Sequence, residues 1–203
     1  MKRVVIKIGS GVVYGRSGKF ARARFGRVVE QIRWLQKHKT EVLCVVSGAV
    51  ALGARGREVD SDRARRHAAA IGQARLIAGI CASFHQHGLT VAQLLVTVES
   101  NGSIFGAGRI HDTIEKCVSE CHVPVINGND PTSLLVNNDT LVVRIAELVS
   151  ADQILILTTA KGSPYSVGGR ETKSKALEMS QALGIPLLIK DSNVRNVVVN
   201  SVL

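Results

Sequence analysis

Val4-Val5-Ile6-Lys7-Ile8-Gly9-Ser10-Gly11, close to the amino terminus, is the stretch from which the rest of the chain can be read. Val4, Val5, Ile6 and Ile8 fit a strand covered on both faces, the pattern of a parallel sheet. Lys7 interrupts that run just before the glycines. A lysine near the end of a buried strand needs an anion, and a Gly-Ser-Gly turn offers backbone N–H groups to the same anion. The alternative is a lysine that only extends its ammonium to solvent from a sheet edge.

Strand and helix signals alternate from there. Tyr14 to Lys19 is a Gly/Arg-rich connector, after which Phe25, Val28, Val29, Ile32 and Leu35 repeat at helical spacing. Further strands are expected over Glu41–Val46, Leu89–Val96, Val123–Asn127, Gln153–Thr158 and Ile185–Lys190. A short helix follows Ser47-Gly48-Ala49, and an alanine-rich one covers His67–Gln86 after the basic polar stretch Arg55–Arg66. Other helices end near Cys121, cover Thr140–Ser150 with Asp139 placed to cap it, and cover Glu171–Leu183. A short hairpin is expected at Ser133–Val136, a loop at Lys161–Gly169, and a closing helix or strand at Val194–Val202. The alternation predicts an α/β fold, a three-layer sandwich with a central, mainly parallel sheet. With no internal repeat and no break in composition, one domain is expected over residues 1–203.

Apolar residues make up 45% of the 203 and charged ones 21%, the balance of a globular chain. No apolar run reaches the ~18 residues that span a bilayer, and the amino terminus lacks the apolar core of a secretory signal. Cys44, Cys81, Cys117 and Cys121 are scattered, which fits reduced thiols and a cytoplasmic location better than a disulfide framework. The net charge of +10 attracts anionic ligands. Only 3% of residues are aromatic, so few platforms exist for stacking bases, and a sequence-reading nucleic-acid protein is not expected. Arg55, Arg57, Arg63, Arg65 and Arg66 are open to two readings, a polyanion surface or a solvated loop or oligomer contact.

Polar and glycine residues gather where the strands end: Gly9-Ser10-Gly11, Ser47-Gly48-Ala49, Asn127-Gly128-Asn129-Asp130 and Thr158-Thr159. Ligands of open α/β sheets bind beyond the carboxyl ends of the strands, so a small-molecule site is expected at this edge. The common phosphate-loop, serine-elbow and zinc-protease patterns are absent. Cys117, Cys121 and His122 have no second ligand cluster and read as buried thiols beside a helix end; no metal-ligating set is assigned.

Lys7-Ile8-Gly9-Ser10, Val46-Ser47-Gly48-Ala49, Gly72-Gln73-x-Arg75-Leu76, Val123-Pro124-Val125-Ile126-Asn127-x-Asn129-Asp130, Asn138-Asp139-x-Leu141 and Gly168-Gly169-x-x-Thr172-Lys173 follow one another in this chain. In that order they resemble the glutamate 5-kinases of the amino acid kinase superfamily, over nearly the whole sequence. The resemblance implies an amino acid kinase-like fold and transfer of the γ-phosphoryl of ATP to the side-chain carboxylate of glutamate or a related amino acid. It further implies ATP and Mg²⁺ as cofactors, an amino acid as small-molecule substrate and a step towards proline. A carboxylate is already ionised near neutral pH, so such a reaction needs no general base; it needs alignment and charge neutralisation. By resemblance, Lys7 and Lys173 flank the phosphoryl group and Asp139 holds the two lysines. Gly9, Ser10 and Gly11 support the phosphates, with Thr158, Thr159 and Lys161 on the nucleotide side. Ser47, Gly48 and Ala49 take the substrate α-carboxylate, and Asn127, Asp130 and Asn138 the rest of the amino acid. Assembly as a homo-oligomer through neighbouring helices is also implied.

The chain departs from that pattern in particular places. Gly128, Asn137 and Thr159 stand where the family has carboxylates, Val136 stands where it has glycine, and Ser163 to Val167 is short. The resemblance is thus to a short, divergent member without the carboxy-terminal accessory domain. The missing acids leave a second expectation open, a catalytically impaired pseudokinase or regulatory subunit.

Overall fold

Alternate residues of β1 (Lys2–Ile8) belong to two different cores. Val4, Ile6 and Ile8 are buried in one, Val5 in the other, and the two-residue period carries Lys7 to the same side as Val5. The computed structural model describes residues 1–15, 18–132, 137–159 and 169–202.

β1 lies in the middle of a six-stranded sheet with β2 (Thr40–Val46), β3 (Val91–Val96), β4 (Val123–Gly128), β5 (Gln153–Thr158) and β6 (Leu187–Asp191). The order is β3-β4-β2-β1-β5-β6, and every neighbouring pair is parallel. The expectation of a mainly parallel sheet is thereby sharpened to a wholly parallel one among the described strands. β1 pairs with β2 on one side and β5 on the other, so the direction of winding reverses at its carboxyl end, where α/β folds open a crevice.

Two helical layers cover the sheet. On the side of Val4, Ile6 and Ile8 lie α1 (Ser10–Val13), α2 (Arg22–Lys37), α4 (Asp62–His85) and α8 (Val197–Val202). On the side of Val5 and Lys7 lie α5 (Ala107–Ser119), α6 (Asn138–Leu148) and α7 (Arg170–Ala182). α3 (Ala49–Ala54) rests on α4 almost backbone to backbone. A Cβ on Gly72 would lie 1.7 Å from the Ala49 carbonyl oxygen, and one on Gly53 would lie 1.8 Å from that of Ala68. Only glycine permits that approach, which sets Gln73, the next residue of α4, under the ends of the central strands. At the opposite edge Arg3 ties the layers together, donating to Glu41 at 2.7 Å, Glu115 at 2.5 Å and the Val149 carbonyl at 2.8 Å.

Several boundaries differ from those read in the sequence. α4 begins at Asp62, five residues before His67, because the Ser61 hydroxyl accepts from the Ala64 N–H and closes a turn with no apolar residue to reveal it. Arg63, Arg65 and Arg66 are therefore helical. The Gly9-Ser10-Gly11 stretch is the first turn of α1, not a free loop. Asp139 is not the cap of α6; the Asn137 side chain accepts from the Asp139 N–H at 2.8 Å, which leaves the Asp139 carboxylate for other partners. Val197–Val202 closes the chain as a helix. Cys121 is exposed and Cys117 half-buried, so the buried pair of thiols expected there is not found. The hairpin expected at 133–136 and nearly all of the loop at 161–169 lie outside the described residues.

Candidate active site

The side on which Lys7 emerges decides its partner. Its ammonium enters the α6–α7 layer, is only 7% exposed, and meets the Asp139 carboxylate at 2.6 Å through Oδ1. The other oxygen, Oδ2, accepts from Lys173 Nζ at 3.0 Å and from Thr172 Oγ1 at 2.8 Å. One carboxylate, 2% exposed, thus joins the central strand to α6 and α7. The sheet-edge alternative for Lys7 is excluded, since its charge is buried and paired.

The electrostatics follow from that geometry. Burial pulls the Lys7 ammonium below its ordinary range, the Asp139 charge opposes the shift, and nearby Lys173 adds to it. Burial alone would raise the Asp139 carboxyl; the charge and hydrogen bond of Lys7, with Lys173 and Thr172, outweigh it and hold the group below the usual carboxylate range.

Gly9 lies close to this centre: a Cβ there would sit 3.8 Å from Lys7 Nζ and 3.0 Å from the Leu157 carbonyl oxygen. Its amide already donates to that carbonyl at 2.9 Å, so Gly9 contributes close approach and not a free N–H. Ser10 is buried in the first turn of α1, and the Gly11 carbonyl accepts from Arg24. Gly48 has φ +127°, which a side chain rarely adopts, and a Cβ there would meet Val13 at 3.2 Å; glycine lets α3 start directly beside α1.

A second cluster adjoins the first through the sequence neighbours Asn138 and Asp139. Asn138 Nδ2 donates to Ser47 Oγ at 2.9 Å and to Asn127 Oδ1 at 3.0 Å. Asn127 Nδ2 donates to Gln73 Oε1 at 2.9 Å, and its Oδ1 also accepts the Gly128 N–H at 2.8 Å. The network is uncharged. Asn138 Oδ1 is buried and has no donor among the described residues. Ala49 is buried at the α3–α4 contact. Asp130 stands outside this network. Burial pushes its carboxyl up to about 6, partly opposed by the Arg65 guanidinium of α4.

Thr158 ends β5, and its carbonyl accepts from the Ser192 N–H at 2.8 Å just past β6; Thr159 follows, half-buried. Lys161 falls outside the described residues. Gln73 and Thr172 belong to the motifs quoted above, yet sequence reasoning gave neither a role. Gln73 carried a signal, a lone amide between apolar positions of an alanine-rich helix; Thr172 carried only its place beside Lys173.

The sequence profile described as the amino acid kinase family matches residues 2–182. The chain belongs to the amino acid kinase family. Among individual kinases of this family it is 33% identical to the glutamate 5-kinase of Myxococcus xanthus over 172 residues, 79% of this chain and 45% of the other. It is 35% identical to the glutamate 5-kinase of Novosphingobium aromaticivorans over the same shares. With that of Dehalococcoides mccartyi it shares 27% identity, covering 97% of this chain and 65% of the relative. The chain therefore spans about half the length of most of these curated relatives. An isopentenyl phosphate kinase known from X-ray structures superposes with a TM-score of 0.72 at 16% identity, covering 98% of this chain and 95% of its own. That likeness shows the amino acid kinase fold.

Among the described residues no helix is long and apolar enough to cross a membrane, and no three acidic, thiol or imidazole side chains group to hold a metal ion. The lysine pair on a buried carboxylate suits a polyphosphate, while Mg²⁺ suits a site where phosphates and water supply most ligands. Mg²⁺ bound to nucleotide phosphates would supply charge neutralisation.

Proposed function

We propose that this chain transfers the terminal phosphoryl group of ATP to the side-chain carboxylate of glutamate or a related amino acid, giving an acyl phosphate. The observation that carries this reading is the Lys7–Asp139–Lys173 bridge at the reversal point of the sheet. Two ammonium groups repel; Asp139 holds both, each within 3.0 Å of one of its oxygens, so neither has to be gathered when a phosphate arrives. Lys7 and Lys173 serve the phosphoryl in transfer, and the α1 turn at Gly9, Ser10 and Gly11, with Thr158, Thr159 and Lys161, serves the nucleotide. Ser47, Gly48, Ala49, Asn127, Asp130 and Asn138 serve the acceptor. The acceptor carboxylate attacks as the ionised base it already is, and catalysis rests on alignment and electrostatics. The relatives named as glutamate 5-kinases support the acceptor class, and a role towards proline follows from it. The four free cysteines fit a cytoplasmic setting.

The test is ADP release and hydroxylamine trapping of the acyl phosphate with glutamate and Mg-ATP. Turnover above a Lys7→Ala control supports the reading, and turnover no greater than that control refutes it. The shortage of carboxylates around the acceptor network favours, as a second reading, an impaired kinase that binds without turnover. Nucleotide binding by calorimetry with no product formed would establish that alternative.

A further inference from the structure

We infer that a cleft under the amino ends of the strands, on the edge of the sheet away from Lys7, binds a small organic carboxylate with a compact apolar body. This second site is independent of the kinase reading.

The cleft encloses about 350 Å³, at the small end of the range for ligand pockets. It lies where α2 ends and β2 and β4 begin. Its floor is apolar, made by Val42 of β2, Leu89 ahead of β3 and Val118 of α5. One wall is the end of α2. Arg33, Gln36 and Lys37 stand three and four residues apart, so helical geometry puts them on one face, and all three line the cleft. Thr40, the first residue of β2, continues that wall.

Thr40 points to a ligand most directly. It lines the cleft and is only 7% exposed, yet its hydroxyl has no hydrogen-bond partner among the described residues. A desolvated hydroxyl without a partner carries a cost that a ligand oxygen would remove. Arg33 is already oriented: one terminal nitrogen donates to the His87 carbonyl, which leaves its other N–H groups for a second partner. A planar carboxylate matches that fork.

The charges around the cleft favour an anion. Glu41, in the lining, accepts from Arg3 Nε at 2.7 Å. Glu120, 3.6 Å from His122 Nδ1, is held by Lys116 at 2.8 Å. Neither Arg33 nor Lys37 has an acidic partner among the described residues, so both cations remain for a ligand. The carbonyls of Trp34, Leu35 and Gln36 at the end of α2 accept from the N–H groups of His38 and Lys39 and do not stand open against an anion. An acid entering here meets charged donors at one end and apolar side chains at the other.

The test uses benzoate as the probe on the full chain, with benzamide as its uncharged isostere. Benzoate should bind about tenfold more tightly by calorimetry, the difference between hydrogen bonds to a charged and to a neutral acceptor. Cys121, which is exposed and lines the cleft, reports the place of binding. Benzoate should slow its alkylation by iodoacetamide in proportion to occupancy, read by peptide mass spectrometry, and leave exposed Cys81 of α4 unchanged. Thr40→Val keeps the shape of the side chain and should weaken benzoate about tenfold. Lys37→Met alters only an exposed side chain and should weaken it about threefold, with benzamide unaffected. Benzoate held instead by Lys7 and Lys173 would bind both variants as it binds the wild type and leave Cys121 unprotected, which overturns the inference. So does benzamide binding as tightly as benzoate, or no binding by either.

Discussion

Replacing Asp139 by Asn keeps the shape of the side chain and removes the one charge that holds two lysines. The residue is 2% exposed, and its oxygens lie 2.6 Å from Lys7 and 3.0 Å from Lys173. Removing one partner of a buried ion pair costs ~3–5 kcal/mol, because the remaining charge stays desolvated without compensation. Lys7, 7% exposed, is that charge. For 203 residues the unfolding entropy is about 0.4 kcal/mol per kelvin, so Tm should fall by roughly 7–12 °C at pH 7. The deficit should narrow as pH rises towards the ordinary lysine value of 10.5, because an unpaired, buried Lys7 sheds its proton and its penalty. At the acid end the wild type should lose its advantage: the Asp139 carboxyl is held below its ordinary range, so its contribution is full above the ordinary pKa of 3.8 and disappears as pH falls through the lowered folded value. Calorimetric scans at pH 3, 5, 7 and 9.5 measure all three regimes. A Tm within about 2 °C of wild type at pH 7 would refute the reasoning, as would a deficit that does not change with pH.

Three further outcomes follow. Asp130 has a carboxyl raised from 3.8 to about 6, so folding favours its protonated form; that contribution is full below 3.8 and is lost as pH rises through 6. Asp130→Asn should therefore gain on the wild type between pH 4 and 7, by up to ~3 kcal/mol in urea unfolding, and parallel pH profiles for the two proteins would contradict this. Gly72→Ala places a methyl 1.7 Å from the Ala49 oxygen and should cost more than ~3 kcal/mol, whereas Gly26→Ala, with nothing within 4 Å in the middle of α2, should stabilise by ~0.5–1 kcal/mol; equal effects in denaturant titrations would mean that the α3–α4 contact is not tight. The buried Cys44 thiol is pushed up to about 12, so a maleimide should label exposed Cys81 and Cys121 in the native chain and reach Cys44 only after unfolding; fast native labelling of Cys44 by peptide mapping would count against the core as described.

Much of the scaffold was legible before any coordinates. The apolar run around Lys7 and the alternation of two-residue and helical periods pointed to a covered parallel sheet, because burial on both faces leaves few other patterns. The short polar stretches after the strands marked a candidate binding edge, because ligands of open α/β sheets bind beyond the strands' carboxyl ends. Less legible were places where the local signal was polar and generic. Nothing apolar announces the first turn of α4 at Asp62, and Asn137, Asn138 and Asp139 are all acceptable caps by type. The choice of Asn137 as cap follows from Asp139 being drawn to the lysines, a contact made between elements distant in the chain.

The sequence by itself determined which residues could carry charge into this edge and where strands must be buried, since composition and period constrain every fold the chain could adopt. In the sequence Lys7 reads either as a buried cation in need of an anion or as a lysine reaching solvent from a sheet edge. Only the tertiary structure decided which anion, because the face on which Lys7 emerges, the register of β1 between β2 and β5, and the arrival of α6 and α7 together bring one carboxylate within 3.0 Å of two lysines. It alone also showed Gln73 beneath Asn127, a relation set by the close crossing of α3 and α4. Charge balance in a buried site depends on distances between remote residues, and those distances are fixed by packing.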